Sequence, residues 1–458
     1  MSKLPADCLF EIFEFLANDK ESLYSCLLVN KLWSTISVRI LWRDSTNYNF
    51  QTLKTLIKCL PNESKEIISK TEIDFSISIS KPMFNYPSFC KILLICEIHR
   101  KFESLFPSPE NLIKNYTLIE IYKLFMNITE LKIFSSINPE IFHHLIQYCH
   151  NIKSLTIEFC DNTISNGLKE FLFSIQNNLK YFNIIQDNQF NNSPDITDLI
   201  SSFTTNLYNT VNEYHYYADN ISFSFIKNFI NLQVLELENY DITIDVFEKL
   251  STFIFPHLKI FKIDVNNVNY NFAIKFLMNN GKNLRELSFC EIMGENDNLL
   301  NLMIAKFCVN LKVLSIGFFY DELETFKIIL NSCKYLETIK IWLDEADLLY
   351  EKVALETIAN YSPENMNRIE LLYFPRPYTK KLLPEELDSF FINWSKRVPY
   401  FPITIIINRF HHTKSLDTEE ENLNIIDKYI RSKVIKKFIV SIEKDEGVVE
   451  CFIRSDEY

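Results

Sequence analysis

The first 44 residues carry a helical pattern of apolar positions. Apolar side chains recur there at spacings of three and four residues, at Leu9, Ile12, Phe13 and Leu16. This spacing gathers them on one face of a helix and leaves Glu11 and Glu14 off that face. Pro5 suits the first turn, because its missing N–H would have no partner within the helix there. The pattern predicts an amphipathic helix close to the start of the sequence.

Two further short helices are predicted before residue 44. Asn18, followed three residues later by Glu21, has the form of a capping box and predicts the start of a second helix. Asn30 can cap a third helix, on which apolar residues recur at helical spacing at Trp33, Ile36, Ile40 and Leu41, with Trp42 closing the segment. Three such helices form a thin core, so we expect a partner or the following segment to cover part of their apolar surface.

From residue 128 onward the apolar positions follow a different pattern, L-x-x-L-x-L. Ten copies carry an apolar residue at each marked place, and they begin at Ile128, Ile152, Leu179, Val211, Leu232, Leu258, Leu284, Leu311, Leu336 and Ile369. Two weaker copies begin at Pro402 and Ile435. Most starts are 24 to 27 residues apart, within the roughly 20–29-residue period of leucine-rich repeats.

Helical stretches lie between these copies, for example at 139–148 and 242–253. Each unit is therefore predicted to be a strand, a turn and a helix, and stacked units bury a continuous core that one unit cannot bury alone. We expect an α/β fold in which a curved solenoid carries parallel strands on its concave side and helices on its convex side.

These patterns divide the chain into three predicted parts. Residues 1–44 are the helical module, and residues 128–458 are the repeats, which become irregular after about residue 375. Residues 45–127 are expected to hold a linker helix and the N-terminal cap or first irregular repeats. Within them, Leu53, Leu56, Ile57 and Leu60 share a helical face, the stretch 67–79 alternates like a strand, and the spacing is helical again over 89–106 and 118–126.

The helical module resembles an F-box. The resemblance lies in the order and spacing of Leu4, Pro5, Asp7, Ile12, Phe13, Leu16, Leu23, Val29, Lys31, Trp33, Leu41 and Trp42. Asp7 stands where the family more often has Glu, and it keeps the charge. The resemblance implies binding to the Skp-family adaptor of a cullin-RING ubiquitin ligase. By that resemblance the adaptor-binding residues are Leu4, Pro5, Leu9, Ile12, Phe13, Leu16, Leu27 and Val29, and the core residues are Trp33, Ile36, Leu41 and Trp42.

The repeats resemble the cysteine-containing type of leucine-rich repeat found in many F-box proteins. Cys149-His-Asn-Ile, Cys308-Val-Asn-Leu and Cys333-Lys-Tyr-Leu open three of the predicted strands. The resemblance covers roughly residues 128–374. Pro-rich spacers near the C-terminus predict enlarged loops, and the polar stretch from Glu443 predicts a polar cap.

Composition excludes several classes of partner and compartment. A formal net charge of −12 with no basic run argues against nucleic acid as a general partner. Acidic residues interrupt the N-terminal apolar stretch and no long apolar window exists, so neither a signal peptide nor a membrane span is expected. Eleven scattered cysteines fit a reducing compartment better than a disulfide framework. We therefore expect the cytoplasm, the nucleus or both.

Candidate chemistry is sparse. The His143-His144 and His411-His412 pairs lack the spacing of a helical zinc site, and the sequence shows neither a phosphate-binding loop nor the spacing of a catalytic triad. Buried packing is the better account of Cys149 and Cys160. We predict no catalytic residues, no metal and no cofactor, and hence no enzyme. The acidic run of Asp417, Glu419, Glu420 and Glu421 is interpreted first as the solvated start of a helix, and a site for a basic ligand is the alternative.

The predicted sheet offers a recognition surface instead. Side chains between the buried strand positions must point out of the concave face, and these are Glu236, Glu238, Lys262, Asp264, Glu286, Ser288, Ser315, Lys340 and Trp342. Their mixed charge and the Trp suit a protein or peptide; simple solvated sheet residues are the alternative for any one of them. Together with this surface, the resemblance to an F-box implies a substrate receptor of a ubiquitin ligase. A repeat scaffold in an adaptor-containing assembly without ubiquitin transfer is the alternative.

Overall fold

The computed structural model describes residues 4–69, 82–103, 111–159, 165–175, 178–186, 213–217, 223–239, 244–265, 270–289, 298–343, 348–373, 382–399, 401–443 and 449–455. The chain forms two compact units, residues 1–212 and residues 213–458. They are termed the N-terminal unit and the C-terminal unit.

Three helices open the N-terminal unit, as predicted. They are α1 (Ala6–Glu14), α2 (Lys20–Leu27) and α3 (Lys31–Leu41). Asn30 caps α3 by accepting a hydrogen bond from the backbone N–H of Trp33 at 3.0 Å. The predicted cap of α2 is wrong by one residue, because Asp19 rather than Asn18 accepts from the N–H of Ser22, at 3.1 Å. A carboxylate at this position also interacts favourably with the helix dipole.

The core of this module is small. Its buried side chains come from all three helices and are Leu9, Phe13, Leu23, Cys26, Ile36 and Ile40. An ion pair between Arg43 and Glu14, 2.7 Å long, connects the segment after α3 to the end of α1. This ion pair therefore adds a contact between the first helix and the end of the module, whose core is small.

The segment after the module begins with two helices, α4 (Phe50–Cys59) and α5 (Asn62–Ser69). The predicted linker helix is confirmed by α4, which buries Leu53, Leu56 and Ile57. The predicted strand over 67–79 is wrong at its start, since residues 67–69 complete α5. Its remaining residues lie outside the described ones.

A short strand that the sequence did not predict follows, β1 (Ile92–Leu94). It pairs in parallel with β2 (Glu130–Phe134). The helix predicted to begin at Phe89 therefore begins only at Ile95, as α6 (Ile95–Glu103). The next helix, α7 (Asn111–Tyr122), ends before the predicted limit at residue 126.

The rest of the N-terminal unit alternates strand and helix. The elements are β2, α8 (Pro139–Tyr148), β3 (Ser154–Phe159), α9 (Asn166–Ile175) and β4 (Tyr181–Gln186). Strands β1 to β4 are parallel neighbours in chain order. Their register aligns Leu93, Leu131, Leu155 and Phe182, and all four are fully buried. The second apolar position of each repeat therefore forms a continuous row in the core.

The C-terminal unit continues the same alternation. Its strands are β5 (Glu213–Tyr217), β6 (Val234–Asn239), β7 (Ile260–Val265), β8 (Glu286–Phe289), β9 (Val313–Gly317), β10 (Thr338–Leu343), β11 (Arg368–Tyr373), β12 (Ile403–Phe410), β13 (Ile435–Glu443) and β14 (Val449–Ser455). Its α-helices are α10 (Ile244–Ser251), α11 (Tyr270–Asn280), α12 (Asn298–Phe307), α13 (Leu323–Ser332), α14 (Glu351–Tyr361), α15 (Pro384–Ser395) and α16 (Glu420–Arg431). The predicted α/β repeat fold with parallel strands is confirmed.

The register of β11 corrects one predicted repeat. Ile369 pairs with Ile339 and Ile405, which hold the second apolar position of their copies. The copy therefore begins at Met366, and the predicted start at Ile369 is wrong by three residues. Because Leu371 and Leu372 are adjacent, the L-x-x-L-x-L pattern fits this segment in two alignments, one beginning at Met366 and one at Ile369. Only the strand pairing distinguishes between these alignments.

The C-terminal unit ends in an antiparallel strand. Strand β14 pairs antiparallel with β13, whereas β5 to β13 are parallel. Val449, Phe452 and Ile453 on β14 are exposed, and most of the predicted polar cap, from residue 444 to residue 446, lies outside the described residues.

Asparagine side chains connect successive repeats at the residue before the first apolar position. In four copies the side-chain amide donates to a carbonyl of the preceding unit at 2.7 to 3.2 Å, from Asn127 to Ser88, Asn178 to His150, Asn283 to Pro256 and Asn310 to Lys282. Each bond satisfies a turn carbonyl that has no strand partner. Each of these bonds connects two neighbouring units.

Candidate functional site

The predicted adaptor-binding residues separate into exposed and buried groups. Leu4, Ile12 and Val29 are about half exposed, at 52%, 48% and 56%. Pro5 is also exposed, and Leu16 and Leu27 are half-buried. An exposed aliphatic side chain on a folded module is available to a partner, and its burial there is favourable.

Leu9 and Phe13 do not lie on that surface. They are 5% and 2% exposed and belong to the core that α1 forms with α2 and α3. Both residues lie on the periodic apolar face of α1, and this face packs against the other two helices. The prediction that Leu9 and Phe13 lie on the adaptor-binding surface is therefore corrected. Both side chains belong to the core of the module.

Large exposed apolar residues that the sequence analysis missed extend this surface. Phe15 and Leu28 are 90% and 88% exposed, and Tyr24 and Leu32 are exposed as well. Phe15 lies off the periodic stripe of α1, and Leu28 follows the last residue of α2. The position of Phe15 off that stripe was the signal that could have identified it. The exposed apolar residues of the module, here called the apolar surface, are Leu4, Ile12, Phe15, Tyr24, Leu28, Val29 and Leu32.

The predicted core residues occupy different surroundings. Ile36 is buried, and Trp33 and Leu41 pack as partly buried side chains against the core. Trp42 instead packs against Tyr48 and Tyr86 in tilted arrangements, with ring centroids 5.1 Å and 4.5 Å away. Tyr48 also donates its hydroxyl to the Trp42 carbonyl at 2.9 Å. Trp42 therefore joins the module to the following segment rather than filling the three-helix core.

Backbone hydrogen bonds fix the module to the first strand. The N–H groups of Lys91 and Ile92 donate to the Arg43 carbonyl at 2.8 Å and 3.0 Å. The hydroxyl of Ser45, which is buried, accepts from the N–H of Leu94 at 2.8 Å. These bonds connect the end of the module directly to the residues of β1.

The second candidate surface is the face of the C-terminal sheet opposite its core. Lys262 lies between Glu236 and Glu286, with its Nζ 2.7 Å and 3.4 Å from their Oε1 atoms. Partial burial opposes the charge of Lys262, yet the two carboxylates hold its pKa above the ordinary value. Lys340 pairs in the same way with Glu370 at 3.1 Å. The charges of these lysines are therefore balanced by carboxylates on neighbouring strands.

The other predicted residues of this face differ in access. Asp264 is exposed and Ser288 and Trp342 are half-buried. Ser315, predicted to face the substrate, is only 5% exposed, because the larger Lys340 lies beside it in register. Glu238 pairs in register with Asp264, and its side chain lies outside the described ones.

Cys149 and His144 are buried packing residues. Cys149 is buried, as predicted, and burial raises the pKa of its thiol to about 12. His144 is buried against Tyr148, and burial together with Lys123 lowers the pKa of its imidazole. Cys160 lies outside the described residues. Within the described part of the chain, no group of His, Cys, Asp and Glu side chains could hold a metal ion. No helix among those residues is long and apolar enough to cross a bilayer.

Comparison with known protein families gives a match to the helical module. The family model for F-box-like domains matches residues 1–47. No curated protein matches the chain in sequence. Among solved structures, the chain is similar to the leucine-rich repeat-containing protein LegL7 from Legionella pneumophila, at 12% identity and a TM-score of 0.31, over 69% of this chain and 85% of that one. Residues 1–47 therefore match the F-box-like family, and the described residues that follow form repeated parallel strand–helix units, the arrangement of a leucine-rich-repeat fold.

Proposed function

We propose that the chain is a substrate-recognition subunit of an SCF-type cullin-RING ubiquitin ligase. The F-box-like domain would bind a Skp-family adaptor and, through it, a cullin, while the repeats would hold a protein target. The apolar surface carries this proposal, because it lies on the segment that matches the F-box-like family.

The size and exposure of these side chains support a docking role. Single exposed apolar residues are common on protein surfaces, but several large ones on so short a module favour an interaction site. Phe15 and Leu28 are almost fully exposed, so a partner would gain nearly their whole transfer free energy, about 1.5–3 kcal/mol for each side chain. We expect these two residues to dominate adaptor affinity.

The contribution to ubiquitin transfer would be positional. The hydrogen bonds from Lys91 and Ile92 to Arg43 hold the F-box-like domain against β1, so a target bound to the adjoining strands would keep a defined position relative to the adaptor. Such tethering raises the effective concentration of target lysines near the ubiquitin-charged enzyme. This role places the protein in the cytoplasm, the nucleus or both, and requires no catalytic group of its own.

The experiment is a pull-down of purified Skp-family adaptor by the full chain and its variants. Phe15→Asp and Leu28→Asp should each weaken adaptor capture by at least about tenfold, since a charge would be buried at the interface. Ile254→Asp is the matched control, because Ile254 is 68% exposed but belongs to the C-terminal unit. Undiminished capture by both F-box-like variants would exclude the assigned surface.

A second measurement separates the receptor from a scaffold. A receptor should co-purify with a cullin and support ubiquitin transfer to a bound target in a reconstituted reaction. Adaptor binding without a cullin or without transfer would favour the scaffold in an adaptor-containing assembly.

A further inference from the structure

A basic pocket opens at the start of strands β11 to β13 in the C-terminal unit. Its volume is about 720 Å³, and its lining residues are Asn367, Phe401, Pro402, Thr404, Lys433, Ile435, Lys436 and Lys437. Three of them are lysines and none is acidic. In a chain with a net charge of −12, such a lining is a local reversal of the prevailing charge.

The lysines are presented by two irregularities of the backbone. Lys433 follows α16 with a φ of 62°, in the left-handed region where glycine is strongly preferred. The register between β12 and β13 shifts between Ile403 and Thr404, so Lys436 is an extra residue before Lys437 pairs with Thr404. All three lysine side chains are exposed, and in the described ranges neither Lys436 nor Lys437 forms an ion pair.

The walls of the pocket are held by buried groups. Trp394, which is 1% exposed, donates its indole N–H to the Phe401 carbonyl at 3.1 Å. Thr404 N–H donates to the Asn367 carbonyl at 2.8 Å, and Ile403 N–H donates to the Val434 carbonyl at 2.9 Å. These hydrogen bonds connect the lining residues of different repeats.

We propose that this pocket binds an acidic peptide segment of a protein partner. The lysine ammonium groups would pair with closely spaced carboxylates, while Thr404 and Asn367 offer neutral hydrogen-bonding groups at its edge. Phe401, 44% exposed, supplies an apolar contact for the carbon skeleton of the peptide. Three lysines are too few for the extended phosphate tracking that nucleic acid requires. The inference rests on the proposed target-binding role of the repeats and names the chemistry of the target segment.

The test uses the purified full chain without adaptor, so its result is independent of adaptor capture. A fluorescein-labelled peptide of alternating Glu and Gly is titrated by fluorescence anisotropy, with a Gln–Gly peptide as the neutral probe. Saturable binding of the Glu–Gly peptide that weakens as salt is raised is expected.

Two pocket variants and one control make the assignment specific. Lys433→Gly should weaken binding by at least about threefold while leaving the melting temperature unchanged or higher, because glycine relieves the positive φ. Lys436→Gln with Lys437→Gln should weaken binding by at least about tenfold. Lys282→Gln with Lys334→Gln removes the same charge from exposed lysines elsewhere in the unit and should change affinity by less than about twofold.

The proposal is overturned by any of four results. They are absence of saturable binding, equal binding of the Gln–Gly peptide, equal losses in the pocket and control variants, and displacement of the peptide by double-stranded DNA at lower concentration than by unlabelled peptide.

Discussion

The ring of Trp33 meets the ring of Phe13 edge-on, with the ring centroids 5.0 Å apart and the ring planes at 76°. Phe13 is buried and Trp33 is partly buried against the same core. Edge-to-face packing is a favoured arrangement of aromatic pairs. The contact joins α3 to α1 and so holds the apolar surface in its shape.

Trp33→Ala should therefore destabilise the F-box-like domain by about 3 kcal/mol, the lower end for a core Trp, because Trp33 is only partly buried. Hydrogen exchange of the backbone amides of α1 to α3 measures the loss. Leu28→Ala is the control, since an 88% exposed side chain should change stability by less than about 0.5 kcal/mol. Unchanged protection in the Trp33 variant would contradict a role in the core.

The hydrogen bond from the Asn310 side chain to the Lys282 carbonyl gives a second prediction. Asn310→Ala should lower the free energy of unfolding of the C-terminal unit by about 1 kcal/mol, because the carbonyl loses its protein donor. Urea denaturation measures the change. Asn424→Ala is the matched control, as Asn424 is exposed on α16 and alanine favours a helix. A loss no larger than that of the control would show that the bond between repeats contributes nothing.

The repeated apolar periods allowed the sequence to predict most elements, because a period of three to four residues or a fixed L-x-x-L-x-L phase survives local substitutions. Strand β1 was missed because Ile92 to Leu94 continue into apolar residues of α6, and only pairing with β2 makes them a strand. Phe15 and Leu28 were missed for the opposite reason. Pattern rules assign apolar residues to the interior, whereas these two are exposed where a partner is expected.

The pocket of three lysines was not predicted either. Lys433, Lys436 and Lys437 are close in sequence, but the positive φ of Lys433 and the register shift beside Lys436 decide where they point. Phe401 and Asn367 reach the same pocket from other repeats. Tertiary stacking, rather than any local pattern, brings these residues together.

Two glycines of the C-terminal unit should respond differently to a methyl group. A Cβ at Gly281 would lie 2.8 Å from the Cys308 Sγ and 3.2 Å from the Phe307 carbonyl oxygen, whereas at Gly317 its nearest neighbour, on Leu348, is 3.4 Å away. Gly281→Ala should cost about 1–3 kcal/mol through overpacking, and Gly317→Ala should be neutral or slightly stabilising. Thermal denaturation of both variants checks this order, and equal melting temperatures would refute it.

Glu351 should make the stability of the C-terminal unit depend on pH. Burial raises the pKa of its carboxyl to about 7 from an ordinary 4.5, although hydrogen bonds from the Tyr373 hydroxyl and from the backbone of Leu416 and Leu382 oppose the shift. Because the folded-state pKa is the higher one, the folded state binds the proton more tightly than the unfolded state does. Protonated Glu351 therefore makes its full contribution to the unfolding free energy below about pH 4.5. This contribution is lost as pH rises through about 7.

Glu351→Gln should remove this dependence. Relative to the variant, the wild-type chain should lose about 3 kcal/mol of unfolding free energy between about pH 4.5 and pH 8. Urea denaturation across that range, with both chains compared at each pH, measures the difference. Glu356→Gln on the same helix α14 is the control, because Glu356 is exposed and its replacement should leave the wild-type slope intact. A wild-type curve that runs parallel to the Glu351→Gln curve would show that the carboxyl titrates alike in both states.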